Sequence, residues 1–336
     1  MRNQTRVAFS AYAQQIATLN GVENAAATFS VDPSVQQTLE TKLQETSAFL
    51  SRINIHPVDE QEGEKIGLGI SGPIASRTNT DTNPRVPRPA HSLDGDRYRC
   101  EKTNYDTYLK YAQLDAWAKF PDFQVRVRDA IVKRQALDRI MVGWNGTSVA
   151  ATTNPATNPL LQDVNIGWFQ KYRLNASERV MNEGVTGSGK VKVGGAGADY
   201  ANLDAVVYDA LQLLDPWWQD DTGLVVLLGR GLLHDKYFPM VNQDNKPTEV
   251  LAADIVVSQK RVGGLAAATV PYFPANALMV TRFDNLSIYF QAGARRRMLK
   301  DNPERDRIDN FESSNDAFVV EDYGLGCVVE NIELPA

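Results

Sequence analysis

The sequence predicts an α+β fold, and three observations carry that expectation: a long helical stripe in the middle of the chain, an extended alternating segment before it, and a group of short apolar runs after residue 200. At 336 residues the chain exceeds the usual size of one domain, so one large irregular domain or two closely joined ones is expected. Its 43% hydrophobic and 23% charged residues match ordinary folded proteins and argue against a disordered or fibrous chain. The 35 Lys and Arg against 41 Asp and Glu leave a net charge of -6, which does not suit a protein whose main task is to wrap nucleic acid. Apolar runs such as Leu224 to Leu228 fall far short of the roughly 20 residues that span a bilayer, and no secretory signal follows Arg2 and Arg6. Only Cys100 and Cys327 are present, too few for a disulfide framework, and both are expected to be reduced.

Phe9, Tyr12, Ile16 and Leu19 recur at steps of three and four and predict an amphipathic first helix, stopped by Asn20-Gly21. Glu23 to Thr28 reads as an exposed hinge, and Ser30-Val31-Asp32-Pro33 as a turn opening a second helix through about Leu50. Ile66, Leu68 and Ile70 alternate as in a strand, Arg77 to Asp96 with its three prolines reads as a long loop tip, and Tyr98 to Leu114 as the returning strand. Such a two-stranded hairpin cannot cover its own apolar face, so it is expected to lie on another subunit. Pro121 and Asp122 start the longest helix, whose core stripe includes Phe123, Val127, Ile131, Leu137, Ile140, Met141 and Trp144 before Gly143, Asn145 and Gly146 interrupt it. Leu203 to Leu214 repeats the helical pattern, and Leu224 to Leu228, Ile255 to Val257, Leu278 to Val280 and Leu286 to Phe290 read as strands of a second, mixed unit over 200–294.

Three patterns could carry chemistry. Gly184 to Lys190 matches the first seven positions of a phosphate-binding loop, but Val191 replaces the hydroxyl that would hold magnesium, and neither a buried strand before it nor a helix after it is predicted. A nucleotide-binding enzyme using Gly184–Lys190 is therefore the rival reading, with a plain loop favoured over it. Asp220 with Asp221 and Glu321 with Asp322 could do acid and base work only if their environments separated their pKa values. His56, His91 and His234 show no metal-ligand spacing. Arg126, Arg128, Lys133 and Arg134 on the long helix, and Arg295 to Arg297, could meet phosphates as well as water. No catalytic residue, metal ligand or cofactor is expected.

Several blocks resemble the major capsid proteins of P2-like tailed bacteriophages. They are Asp32-Pro33-Ser34-Val35, Phe49 through Ile55, Gly63 through Gly67, Asp122-Phe123-Gln124 through Lys133-Arg134-Gln135, Leu161 through Val164, Leu251 through Asp254, Pro271 through Ala275 and Val320 through Tyr323. The resemblance runs almost end to end and implies the HK97 capsid fold. On that template residues 1–29 form an N-terminal segment removed on maturation, with the processing junction at Phe29 and Ser30. Residues 30–55 form an arm, 56–114 the extended hairpin, and 121–143 the spine helix. The peripheral domain takes 115–199 and 295–336, and the axial domain 200–294. The implied function is structural: copies of the chain assemble into pentamers and hexamers of an icosahedral shell in the bacterial cytoplasm. The implied partners are an internal scaffold that doubles as prohead protease, a portal protein, and packaged double-stranded DNA met non-specifically by Arg126, Lys133 and Arg134. No membrane is involved in that reading.

Overall fold

The computed structural model describes the chain apart from residues 66–68, 71–74, 83, 88–90, 93–96, 118–122, 242–259 and 336. The chain opens with α1 (Asn3–Leu19), β1 (Phe29–Ser30) and α2 (Pro33–Thr46). It continues through β2 (Asn54–Val58), β3 (Glu62–Glu64), β4 (Gly69–Ile70), β5 (His91–Ser92), β6 (Arg97–Arg99), β7 (Glu101–Asn104) and β8 (Thr107–Lys110). Helices α3 (Tyr111–Trp117), α4 (Phe123–Asn145) and α5 (Trp168–Asn175) follow, then β9 (Val180–Met181), β10 (Val191–Lys192), α6 (Leu203–Ala210), β11 (Val225–Leu228) and α7 (Arg230–Val241). The last third holds β12 (Arg261–Val262), β13 (Leu265–Ala268), β14 (Leu278–Thr281), β15 (Leu286–Gln291), β16 (Arg296–Asn302), β17 (Arg307–Val320), β18 (Cys327–Val329) and β19 (Ile332–Glu333).

Two sheets organise these elements. The larger is built on β17, whose first half lies between β16 on one edge and β8 and β7 on the other. β15 pairs with its second half, β2 joins β15 in parallel, and β1 extends the edge at β16. The second sheet has six strands in the order β12-β13-β11-β14-β18-β9. It explains why Leu224 to Leu228 reads as an unbroken apolar run. Leu227, Met279 and Val328 turn to one core, and Val226, Leu228, Leu278 and Val280 turn to another beneath α6, so both faces are covered.

Local chemistry sets the helix ends. Asp32 caps α2 by accepting from the Ser34 amide at 2.8 Å, and Pro33 takes the first helical position, where no amide is needed. The Ser34 hydroxyl and amide hold the Asp32 carboxyl below its usual value. α4 runs 23 residues, about 35 Å at 1.5 Å per residue. It continues through Gly143, where a stop was expected, because that glycine admits α5: a Cβ there would lie 2.3 Å from Trp168. Trp144 and Trp168 then meet with centroids 4.9 Å apart, and Phe49 and Phe273 close around Trp144 at 5.3 and 4.8 Å.

Several expectations need correction. α2 ends at Thr46, since Ser47 to Ser51 form turns rather than a last helical turn. Tyr111 to Leu114 belong to α3, which buries Leu114 against Val127 and Ile308. Leu286 to Phe290 lies in the larger sheet, not with the apolar strands of 225–281, because its registry is to β17 and β2. Conversely, β9 and β18 from outside 200–294 complete the six-stranded sheet. Ile66, Leu68, Pro121, Asp122, Leu251 to Asp254 and Ile255 to Val257 lie outside the described residues. Within the α4 stripe, Val127, Ile140 and Trp144 are buried, Ile131 is only half-buried, and the Phe123 side chain is outside the described set. The face that α4 buries contains Gln135 and Arg139, which an apolar count passes over.

Ile140→Asp is expected to lower stability by about 3–5 kcal/mol, as an uncompensated buried charge does, and to reduce the yield of soluble folded subunits. Ile131→Asp costs distinctly less because water reaches that position. Denaturant midpoints of the two variants check the ranking; equal losses would show that the half-buried position of Ile131 is wrong.

Candidate functional site

A buried ionic cluster ties the N-terminal arm to the rest of the chain. Arg139 of α4 and Arg295, just before β16, are 1% and 0% exposed in their side chains. Arg139 forms a fork with Glu40 of α2 and pairs with Asp316 of β17 at 2.9 Å. Arg295 pairs with Glu40 at 3.0 Å and with Glu312 at 2.6 Å, and also donates to Gln135 at 2.8 Å. Gln135 returns a bond to Glu312 at 2.9 Å, while Ser314 and Tyr105 donate to Asp316. Every charged member thus has partners from other elements, which is the condition for holding charge in a protein interior. Burial acts to raise the Glu312 carboxyl, but Arg295 and Arg297 outweigh it and leave it below its usual 4.5. Of the run Arg295 to Arg297, therefore, Arg295 is not available to DNA.

The N-terminal segment docks on the same layer. Tyr12, Ile16 and Ala17 of α1 cluster with Ala25, Phe29, Val31 and Leu299. Ala25 in the expected hinge is buried, and its carbonyl accepts from the Leu299 amide at 2.9 Å. Leu19, read as part of the apolar stripe, is 58% exposed and rims a groove of about 580 Å³ between α1, α2 and α4. At the expected junction Phe29 is buried, and Ser30 is exposed with its hydroxyl donating to the Gly293 carbonyl at 2.7 Å. Both residues pair with β16.

The hairpin leaves from the opposite face of the larger sheet. Val58, Tyr98 and Cys100 pack on Tyr289, Ala317 and Val319 to form its root. Beyond the root β3 pairs with β6 and β4 with β5, each as a two-stranded sheet with no third strand among the described residues.

Several residues of the patterns that hinted at chemistry are engaged by other groups of the chain. In Gly184–Lys190, the amides of Gly187 and Gly189 donate to the Glu183 carboxylate at 2.9 and 3.2 Å, and Lys190 pairs with Glu333 at 2.8 Å. The groups that would cradle a phosphate are already occupied by the chain's own carboxylate. Glu321 accepts from the hydroxyls of Ser287 and Tyr289, Asp322 from the Gly324 amide and Trp218, and Asp221 pairs with Arg282 at 3.0 Å. On the solvent side of α4, Arg126, Arg128, Lys133 and Arg134 are exposed, but Arg128 pairs with Asp129 and Arg134 with Asp138 at 2.8 and 2.6 Å. Cys100 and Cys327 are free and buried, and burial raises each thiol to about 12. Among the described residues no helix is long and apolar enough to cross a membrane.

Glu40→Ala should destabilise the subunit by about 3–5 kcal/mol, since it leaves Arg139 and Arg295 short of a counter-charge in the interior. Acid should act on the same cluster. The stability that depressed Glu312 contributes is present above pH 4.5 and is lost as the pH falls through its lower folded-state value. Denaturant titrations from pH 7 to pH 3 check both; a Glu40→Ala midpoint equal to the parent's would exclude the cluster as a support of the arm.

Comparison with known proteins bears directly on these surfaces. Residues 8–332 match the family described as phage major capsid protein, P2 family. The capsid protein of Escherichia phage P2 is 50% identical over 99% of this chain and 96% of its own length, and the major capsid protein of Serratia phage KSP20 is 43% identical over 99% and 97%. A chain from the satellite phage P4 procapsid, solved with size determination (Sid) protein, superposes with a TM-score of 0.84 at 47% identity, covering 100% of this chain and 99% of that one. The capsid of an empty GTA particle shares the fold alone, with a TM-score of 0.53 at 14% identity over 86% of this chain and 90% of that chain. With its long α4 laid on a β-sheet, a separate six-stranded sheet and the two-stranded β3–β6 pairing, the chain belongs to the P2 family of phage major capsid proteins, structural subunits of the virion shell with an HK97-like fold.

Proposed function

We propose that copies of this chain close into pentamers and hexamers and that these build an icosahedral shell around packaged double-stranded DNA, assembled in the bacterial cytoplasm. The observation that carries the reading is the hairpin: a two-stranded ribbon is at best marginally stable in water, and β3 with β6 and β4 with β5 have no further strand to lean on among the described residues. A neighbouring copy supplies the missing cover. In this reading the larger sheet with α4 forms the peripheral domain, now including Leu286–Gln291, and the six-stranded sheet with α6 forms the axial domain. Heterologous contacts repeated around a closed ring give the capsomer, and many modest contacts per subunit let a misplaced copy leave before closure. A purely structural role leaves no step for a catalytic residue, and the engaged Gly184–Lys190 loop favours it over a nucleotide enzyme.

The remaining partners follow from the N-terminal half. An internal scaffold that is also a protease would cut between Phe29 and Ser30, a bond held in extended backbone at the sheet edge, the conformation in which a chain can add to another protein's strand. A portal protein would occupy one vertex. Arg126 and Lys133, exposed on the same side of the layer as α1, would meet DNA phosphates without sequence preference once the segment is gone.

Deleting Arg77 to Asp96 should leave a folded subunit, seen by circular dichroism, that makes no shells by electron microscopy; intact shells would refute the bridging role. N-terminal sequencing of mature shells should begin at Ser30, and a chain beginning at Met1 would remove the processing step.

A further inference from the structure

β17 presents two different faces. Ile308 and Glu312 turn toward α3 and α4, where Ile308 meets Leu114 and Val127 and Glu312 meets Gln135. Arg307, Asp309 and Phe311 turn the other way, and the registers bring Met298 and Lys300 of β16 and Tyr108 and Lys110 of β8 alongside them. Arg296 lies beside Ser313, and Lys102 beside Asn315, on that same face. Four of its cations, Lys102, Lys110, Arg296 and Lys300, are exposed and have no carboxylate within ion-pair range among the described residues. A fifth, Arg307, pairs with Asp309 at 2.6 Å and lies 4.6 Å over the ring of Tyr108. The other carboxylate near this face, Asp106, accepts from the Glu312 amide at 3.1 Å. Between the cations Tyr108 and Phe311 are 52% and 39% exposed. Exposed rings and a methionine among cations suit a protein partner better than a DNA backbone, which takes charge but offers these rings little to pack against.

The same chain carries the complementary strip. Asp59, Glu60, Glu62 and Glu64 are exposed at the start of the hairpin, and none has a cation within ion-pair range among the described residues. Arg99, across from Glu62, is engaged by Glu101 at 3.0 Å. The strip also leaves on the correct side. Its root rests on Ala317 and Val319, which belong to the same odd-numbered face of β17 as Phe311. Rotation about an axis through the layer keeps that face on one side for every copy, so each hairpin departs on the side where the next copy's basic face is open.

We propose that the basic face formed by Lys102, Tyr108, Lys110, Arg296, Lys300 and Phe311 is the seat for the acidic hairpin root, Asp59 to Glu64, of a second copy. The proposal rests on the bridging role of the hairpin and adds where it lands and what selects the landing. Opposite charges on a homotypic contact steer its approach and penalise a wrong register more than they add affinity.

Charge exchange in the full chain, assembled with its scaffold, tests it. Arg296→Glu with Lys300→Glu on the face, and Glu60→Lys with Glu62→Lys on the strip, should each give subunits that melt like the parent but at least about tenfold fewer shells by electron microscopy. Combining the four changes should restore most of the yield. A face variant that assembles at parental yield, or a combination no better than either half, overturns the proposal. Normal shells that fail only to retain DNA overturn it as well and assign the face to DNA. Loss of shells from the strip variant alone would keep the bridging role while moving the seat elsewhere, whereas the deletion of Arg77 to Asp96 decides the bridging role itself. If charge reversal unfolds the sheet, Arg296→Gln with Lys300→Gln replaces it. Assembly of that variant should lose its salt sensitivity, and an unchanged salt profile counts against the seat.

Discussion

Arg139 and Arg295 are the charges around which the larger layer is arranged. Neither can sit in a protein interior without counter-charges at defined positions, and the three carboxylates that supply them come from distant parts of the chain: Glu40 from α2, and Glu312 and Asp316 from β17. The apolar contacts of α2, through Leu39 and Leu43, would tolerate a small slide along α4. The fork between Arg139 and Glu40 would not, because a displaced guanidinium leaves both charges unpaired. Apolar burial therefore holds the arm on, and the ionic cluster decides where. That division matters for a shell subunit, in which a small error in one arm is repeated at every contact.

How much of this was legible in the residues depends on what kind of signal each element carries. α1, α2 and α4 were readable because a helix that packs on one side repeats its apolar groups every three or four residues, and Asp32-Pro33 marks a helix start in two residues. Two strands of the second sheet, β11 and β14, were readable as apolar runs, though not their partners, since β9 and β18 arrive from beyond the segment they complete. The ionic cluster was not readable. Gln135 and Arg139 fall on the same helical face as Val132, Ala136 and Ile140, and a charge on an apolar stripe was the available sign, but only the fold shows that Glu40, Glu312 and Asp316 converge there. The basic sheet face was equally hidden, because its cations are spread over β7, β8 and β16 and become neighbours only through strand register. Gly143 illustrates the reverse case, a residue read as a helix stop that instead serves the close approach of Trp168.

The two sides of the layer do different work. On one lie α4, the arm helix and the N-terminal segment, where the exposed Arg128 and Arg134 are paired with Asp129 and Asp138. On the other lie the hairpin root and a run of cations that the described part of the subunit leaves uncompensated. A monomer gains nothing from unneutralised like charges on a flat sheet, which repel one another and keep Tyr108 and Phe311 in water. An assembling subunit gains selectivity, since such a surface has few favourable partners other than one of opposite charge.

The weakness of the isolated parts is then consistent with their purpose. In the proposed shell, a hairpin stable by itself would be poorly suited to the differing angles between neighbours in five-fold and six-fold rings. In the proposed reading, a ribbon whose cover comes from a neighbour spends part of each contact's favourable energy on being held in place, and the net affinity stays modest. Modest contacts are reversible one at a time, and become durable only when several act on the same copy. Fixed geometry is thus concentrated where the chain meets itself, at Arg139 and Arg295, and in this reading the adjustable contacts are those with the next copy.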